Sequence, residues 1–276
     1  MRIIDQSEVS QSIGLFDNSA YTNSHLGWIE LENLISNHGS IWLDSIRNTK
    51  YLIAILPNKT NLYWLHSFYS TGRPESYPLT EKLKSCFSAG TMSVYTISSH
   101  NWFNSLLEYN GFRKCDEIIQ METADIHSNN FYTKFSFEVL TGNEIDNVYN
   151  HCESSFPSLW QLGKNELSIA INGANYARMI VNGNKAIAYL LADYESDNCH
   201  IERIAVSQDY QNQGVASSLI HQLIIDMEAK GISKFSVNTN KNNSAAVSFY
   251  KKMNFSIYGQ IYPVYHRFLH IHEKFK

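Results

Sequence analysis

Four cysteines in 276 residues, Cys86, Cys115, Cys152 and Cys199, stand far apart, with no C-x-x-C pair and no matched histidine spacing. A disulfide framework and a zinc site are thereby excluded as organising devices, and free thiols in a reducing compartment, packed as small hydrophobes, are expected. Charge is equally sparse: Lys+Arg 22 against Asp+Glu 26 leaves a formal net charge of −4 with no block of one sign. Nothing draws such a chain to nucleic acid or to an anionic membrane. Long apolar runs are missing too, since a stretch such as Tyr51 to Leu56 is far too short to span a bilayer. The opening residues Met1-Arg2-Ile3-Ile4-Asp5-Gln6-Ser7-Glu8 carry charge too early and too often for a signal peptide, so a cytoplasmic location is expected. No G-x-x-x-x-G-K-[ST] loop is found, which stands against a nucleotide triphosphate site.

Hydrophobic residues make up 43% and aromatics 13%, enough for real cores. The length suits one large or two ordinary domains of ~100 to 200 residues each. In the second half the pattern runs strand (Phe135 to Leu140), two helices (Glu144 to Glu153, Lys164 to Asn172), and three strands (Arg178 to Val181, Ala186 to Leu191, His200 to Val206). A helix follows with the stripe Val215, Leu219, Ile220, Leu223, Ile224 and Met227, closed by Lys230-Gly231. Then come a strand at Lys234 to Asn238, a helix at Ser244 to Lys252 and a hairpin-like pair including Tyr262 to Leu269. The first half repeats this loosely, with strands at Tyr51 to Leu56, Asn61 to His66, Thr91 to Ile97 and Asp116 to Met121 and helices at Leu79 to Phe87 and Trp102 to Tyr109. Its exit Leu107-Glu108-Tyr109-Asn110-Gly111-Phe112 has the shape of Tyr250-Lys251-Lys252-Met253-Asn254-Phe255. Two related α/β domains are therefore expected, 1–128 and 129–276, joined through a polar linker near Ile126 to Asn130.

Between the strand ending at Val206 and the helix beginning near Val215 lies Gln211-Asn212-Gln213-Gly214-Val215-Ala216. A strand feeding a short glycine-bearing loop that opens a helix aims several backbone N–H groups at one spot beside a positive helix end, a cradle for phosphate. The loop holds no Lys or Arg, so the grip on an anion must come from main-chain donors and the helix dipole. Gly214 allows close approach of a ligand to the backbone.

Taken in order, these residues resemble the GNAT superfamily of acyl-coenzyme A dependent N-acyltransferases over about Phe131 to Lys276. Ile204-Ala205-Val206 is similar to the segment that pairs with the pantetheine arm, and Gln211-x-x-Gly214-x-Ala216 to the pyrophosphate loop. Asn243-Ser244-Ala245-Ala246-Val247-Ser248-Phe249-Tyr250, with Phe255 beyond it, is similar to the family's Asn, Ala, Tyr and terminal Phe pattern. The resemblance implies tandem GNAT-like domains, each a mixed, mostly antiparallel sheet flanked by helices. It also implies acetyl-CoA as co-substrate and no metal. The coenzyme would be held by Ile204, Ala205, Val206, Gln211, Asn212, Gln213, Gly214, Val215, Ala216, Asn243 and Tyr250. The resemblance offers Lys241, Lys251 or Lys252 as partners for the coenzyme's 3′-phosphate, while each reads more readily as a solvated surface lysine. Asn243 also reads as a helix cap.

Direct attack of an amine on a thioester needs a base, because freeing a primary amine's lone pair at neutral pH costs about 4 to 5 kcal/mol. Strand alternation puts His200, Glu202, Ile204 and Val206 on one face, so Glu202 or His200 is the expected base, the choice being open. Each also reads as a surface or salt-bridged strand residue near Arg203. Tyr250 stands at the family's general-acid position and reads equally as a core residue of an amphipathic helix. Phe156 and Trp160, between the first two helices of the second half, and Tyr265 across from them are candidate linings for a small-molecule or peptide amine acceptor. The ribosomal-protein acetyltransferases of the family usually carry a glutamate twelve residues before their tyrosine; here that place is Asn238. In the first half the equivalent loop, Ser70-Thr71-Gly72-Arg73-Pro74, has a proline and no Gln or Arg three before its glycine, and Leu107 replaces the tyrosine. That half looks like a degenerate copy. A non-catalytic acyl-CoA binding or sensing module is the alternative reading of the whole.

Overall fold

A computed structural model describes residues 1–5, 8–9, 12, 14–16, 19, 21–24, 39–59, 61–87, 90–124 and 135–271, the side chains of 58 and 59 excepted. The chain forms two units, Met1–Glu117 with Tyr262–Lys276, and Ile118–Ile261. The first begins with β1 (Arg2–Ile4), β2 (Tyr21–Ser24), β3 (Ser40–Ile46), β4 (Thr49–Lys59) and β5 (Leu62–Ser70), and goes on to α1 (Leu79–Cys86), β6 (Gly90–Ile97) and α2 (Asn101–Tyr109). From β7 (Arg113–Thr123) the chain enters the second unit: β8 (Phe137–Val139), α3 (Ile145–Cys152), α4 (Lys164–Gly173), β9 (Tyr176–Asn182), β10 (Lys185–Glu195) and β11 (Asn198–Val206). It ends with α5 (Val215–Glu228), β12 (Lys234–Asn240), α6 (Ser244–Lys252) and β13 (Ser256–Ile271).

In the second unit the strands run β7, β12, β11, β10, β9, β8, all antiparallel except β11 with β12. Residues Ala186 to Ala192 of β10 are all buried, as a strand covered on both faces requires. Leu190 and Ala192 pack with the α5 stripe Val215, Leu219, Ile220, Leu223, Ile224 and Met227, while Tyr189 and Leu191 pack with Val148, Leu167 and Ile171 of α3 and α4. The α5 stripe and its stop at Gly231, where φ is +79°, agree with the sequence pattern.

In the first unit β1, β3, β4, β5, β6 and the later residues of β13 form the sheet, parallel only at β5 with β6. β4 alternates between two clusters. Tyr51, Ile53 and Ile55 meet Leu83, Phe103 and Leu106 of the helices, and Leu52 and Ala54 meet Ile4, Val9 and Phe16. The two helix exits anticipated as a repeat are alike in detail: Phe112 N donates to Leu107 O and Phe255 N to Tyr250 O, both 2.9 Å, after left-handed Gly111 and Asn254.

Some expectations differ from the structure. No single cut near 128 separates the units, because Ile118 to Thr123 pair with β12 while Val264 to Ile271 pair with β6. The linker expected at 126–130 lies outside the described residues. The final segment is one long strand, not a hairpin, and β1, β2 and β3 were not visible as strands in the pattern. All four cysteines are free; Cys152 and Cys199 are buried as expected, but Cys115 is exposed.

Candidate active site

β11 and β12 pair for only four residues, Asn198 to Ile201 with Lys234 to Val237. Beyond that, β11 continues against β10 alone and β12 against β7, so the two strands part and leave a wedge. The cause is local. Leu191 faces Arg203 but Ala192 faces Ile201, so Glu202 is an extra residue, and such a bulge bends its strand and increases the twist. From Arg203 to Val206, the β11 edge that faced β12 has no ladder partner among the described residues.

Past the end of β11 the loop turns through two left-handed residues, Asn212 (φ +59°) and Gly214 (φ +80°), and α5 begins. Its first i→i−4 bond is donated by Ser218 N to Gly214 O, 2.9 Å, so the N–H groups of Val215, Ala216 and Ser217 precede the helical ladder. A Cβ on Gly214 would meet nothing within 4 Å among the described residues, so the space beside that residue is open. The amides of Gln211 and Gln213 brace the loop, donating to Val206 O at 3.2 Å and Asp209 O at 2.8 Å. Asn243 caps α6 by accepting from Ala246 N at 3.1 Å.

The bulge also reverses strand parity, which corrects the expectation that His200, Glu202, Ile204 and Val206 share a face. Cys199 and Ile201 pack with Ile204 and Val206 in the cluster under α5, whereas Ala205 packs with the α3 and α4 side. His200 stands between two residues of the α5 side and therefore faces the other way, with Glu202 exposed at the bulge itself. His200 Nδ1 is 2.8 Å from Ser236 Oγ, and its register partner on β10 is Asp193. Burial lowers the imidazole's pKa below 6.5, partly opposed by the Asp193 charge.

Tyr250 is 3% exposed, packed against Phe249 and Phe255 in the α5-side core. Burial pushes its phenol pKa up, so the hydroxyl keeps its proton at neutral pH. The three expected catalytic residues are thus distributed, with Tyr250 on the α5 side of the sheet, His200 on the opposite side, and Glu202 where the strands part.

A network unforeseen in the sequence lies beside the bulge. Glu153, 3% exposed, accepts from Tyr189 OH, from Arg203 Nη2 at 2.9 Å and from Leu162 N at 2.9 Å. The Arg203 guanidinium also donates to Trp160 O at 2.9 Å and lies over the Phe156 ring, 3.7 Å from its centroid. The stretch 156–162, with the expected acceptor-lining Phe156 and Trp160, is bolted to β11. The only sequence signals were an acid at a helix end and a tyrosine inside an apolar run. Tyr265 belongs to the other unit. The pairing of β13 with β6 puts it in the core of the first, donating to Glu108 Oε1 at 2.9 Å, with a pKa pushed up to about 12 by burial and that carboxylate. Among the described residues no group of three or more His, Cys, Asp and Glu is placed to hold a metal, and no helix is long and apolar enough to cross a membrane.

Residues 145–255 match the acetyltransferase (GNAT) family. A 77-residue stretch is 29% identical to the [ribosomal protein bS18]-alanine N-acetyltransferase of Escherichia coli (strain K12), 28% of this chain and 52% of that protein. Another, of 66 residues, is 30% identical to N-alpha-acetyltransferase 30 of Schizosaccharomyces pombe, 24% of this chain and 44% of that protein. The chain thus spans about half the length of the curated relatives it matches. Among solved structures, a tandem GNAT protein from the clavulanic acid biosynthesis pathway shares the fold with a TM-score of 0.63 at 7% identity, over 98% of each chain.

Proposed function

We propose, from the premise that residues 145–255 are a domain of the GNAT acetyltransferase family, that the protein is an N-acetyltransferase. It moves an acetyl group from acetyl-CoA to a primary amine of a small molecule or peptide within a ternary complex. The observation that carries this reading is the wedge between β11 and β12 with the open cradle of α5 at its end. The unpaired edge of Arg203 to Val206 suits the amides of a pantetheine arm. The first-turn amides of α5 with Gly214 suit a diphosphate without help from a basic side chain. Acetyl-CoA supplies the activated acyl thioester.

A gap in a sheet is reachable from both faces, so groups on opposite sides can serve one threaded molecule. When His200 Nδ1 donates to Ser236 Oγ, Nε2 is the ring atom left to take the amine's proton, and its lowered pKa keeps the imidazole unprotonated and so able to accept one near pH 7. Glu202, at the bulge, is the other candidate base. Tyr250 on the far face is the candidate donor to the departing thiolate, bearing the proton such a role requires. Stretch 156–162, held by Arg203 and Glu153, is the candidate acceptor wall. One named relative acts, by name, on an alanine of ribosomal protein bS18, which favours a peptide amine. Asn238 in place of the glutamate of the ribosomal-protein enzymes weighs against their specific substrate.

The test is thiol release from acetyl-CoA across a panel of small and peptide amines. Tyr250→Phe is expected to lose ~10² to 10⁴-fold in rate; no loss removes the phenol from the mechanism. The burial of Tyr250 among Phe249 and Phe255 favours a second reading, a non-catalytic acyl-CoA sensor. Tight coenzyme binding with no turnover on any amine, and none changed by His200→Gln or Glu202→Gln, would select it.

A further inference from the structure

The first unit repeats the scaffold of the wedge. β5 and β6 are parallel for only three residues, Leu62 to Trp64 with Ser93 to Tyr95, and β5 carries a bulge at the same point. Ser67 faces Ala54 but Leu65 faces Ile55, leaving His66 as the extra residue. Parity reverses here as well, since Leu65 and Phe68 share a cluster as Ile201 and Ile204 do. Residues 67–70 are therefore the counterpart of 203–206.

That edge is not open. β2 lies along it, Tyr21 to Ser24 antiparallel to Ser70 to Ser67. Asn23, 1% exposed, ties β2 to the other arm of the fork: Nδ2 donates to Ile97 O at 3.1 Å, and Oδ1 accepts from Ser99 N at 3.0 Å. Ser24 Oγ is 2.6 Å from Ser67 Oγ, and the Tyr21 ring meets Trp102 edge-on. The helix amino end is taken too. Buried Asn110 Oδ1 accepts from Thr80 N in the first turn of α1 at 3.0 Å, while Asn110 Nδ2 donates to Tyr77 O and Leu106 O. A Cβ on Gly72 would come within 2.8 Å of Thr49 Oγ1, where Gly214 has free space.

The geometry points to a strand-accepting site in the first unit whose ligand is this chain's own segment 21–24. An extended peptide backbone, held by ladder bonds and by Asn23, takes the place that an amide-bearing carrier arm would occupy, and Asn110 takes the place of the anion. The protein accordingly has one acyl-CoA site per chain, in the second unit. The location of that one site rests on the function proposed above; the filling of the first wedge does not.

Calorimetric titration of the full-length protein with coenzyme A is expected to give one equivalent, and Gly214→Val, which forces a β-branched residue into φ +80°, to abolish all of it. Hydrogen exchange read alongside is expected to show protected amides at 21–24 and 67–70 without ligand, unchanged on adding coenzyme A, while 203–206 and 214–217 gain protection. Two equivalents in the parent protein, binding that survives in Gly214→Val, or a coenzyme-dependent change at 21–24 would overturn the inference. If no coenzyme binds at all, the proposed function fails. The self-filled wedge is then judged by the unliganded exchange alone, where unstructured rates at 21–24 would sink it.

Discussion

The two forks of this protein are built alike and finished differently. In both, a short parallel pairing, one bulged residue and a reversal of parity drive neighbouring strands apart. In chain order, β2 lies between β1 and β3 as stretch 156–162 lies between β8 and β9. The first segment becomes a strand inside its fork; the second is clamped to β11 through Arg203 and Glu153, and among the described residues no strand fills its fork. A scaffold that opens a sheet does not by itself make a ligand site. What a neighbouring loop does with the gap decides the matter, and a few buried polar groups hold the loop in either state.

The largest expected effect comes from breaking the clamp. Glu153→Ala strands the mostly buried Arg203 guanidinium and unties Leu162 N, and losing one partner of such a pair costs about 3 to 5 kcal/mol. Urea unfolding should show this loss, with faster proteolysis within 156–162; a change below about 1 kcal/mol would show that packing alone holds the stretch. The matching cut in the first unit is Asn23→Ala, which leaves Ser99 N and Ile97 O without their side-chain partner. A cost of about 1 to 3 kcal/mol is expected, read as destabilisation together with faster exchange at 21–24.

The smallest effect concerns pH, and it has one sign in both units. His200 in the second unit and His266 in the first have pKa values lowered from 6.5, the largest cause in each being burial. A histidine depressed in the fold binds its proton first in the unfolded chain, so stability is whole above about pH 6.5 and falls as pH drops from there to the folded value. His200→Gln and His266→Gln should each flatten that acid-side loss in denaturant midpoints measured between pH 7.5 and 5. A steeper loss in either variant would contradict the burial account for that unit.

Several parts of the molecule are legible in the amino-acid sequence alone. The α5 stripe, the Gly214 turn, the Asn243 cap and the paired exits at Phe112 and Phe255 are set by residues within a turn or two of one another. The degeneracy of the first loop is equally visible, in Pro74 and in Leu107 where the second half has Tyr250. The orientation of His200 is not. A single extra residue at Glu202 turns it to the other side of the sheet, and a bulge is defined by the partner strand, which strict alternation along β11 ignores.

The sequence by itself therefore determined the helices, their ends, the turn at Gly214 and the family resemblance, because hydrophobic period, capping and turn chemistry act over a few neighbouring residues. Only the tertiary structure decided that Ile118 to Thr123 and Val264 to Ile271 pair as they do, that Glu153 meets Arg203 across 50 positions, and that β2 fills one fork while no strand among the described residues fills the other. Those outcomes depend on which distant strand edge and which buried charge find each other, and pairings at such separation leave no periodic mark in the chain.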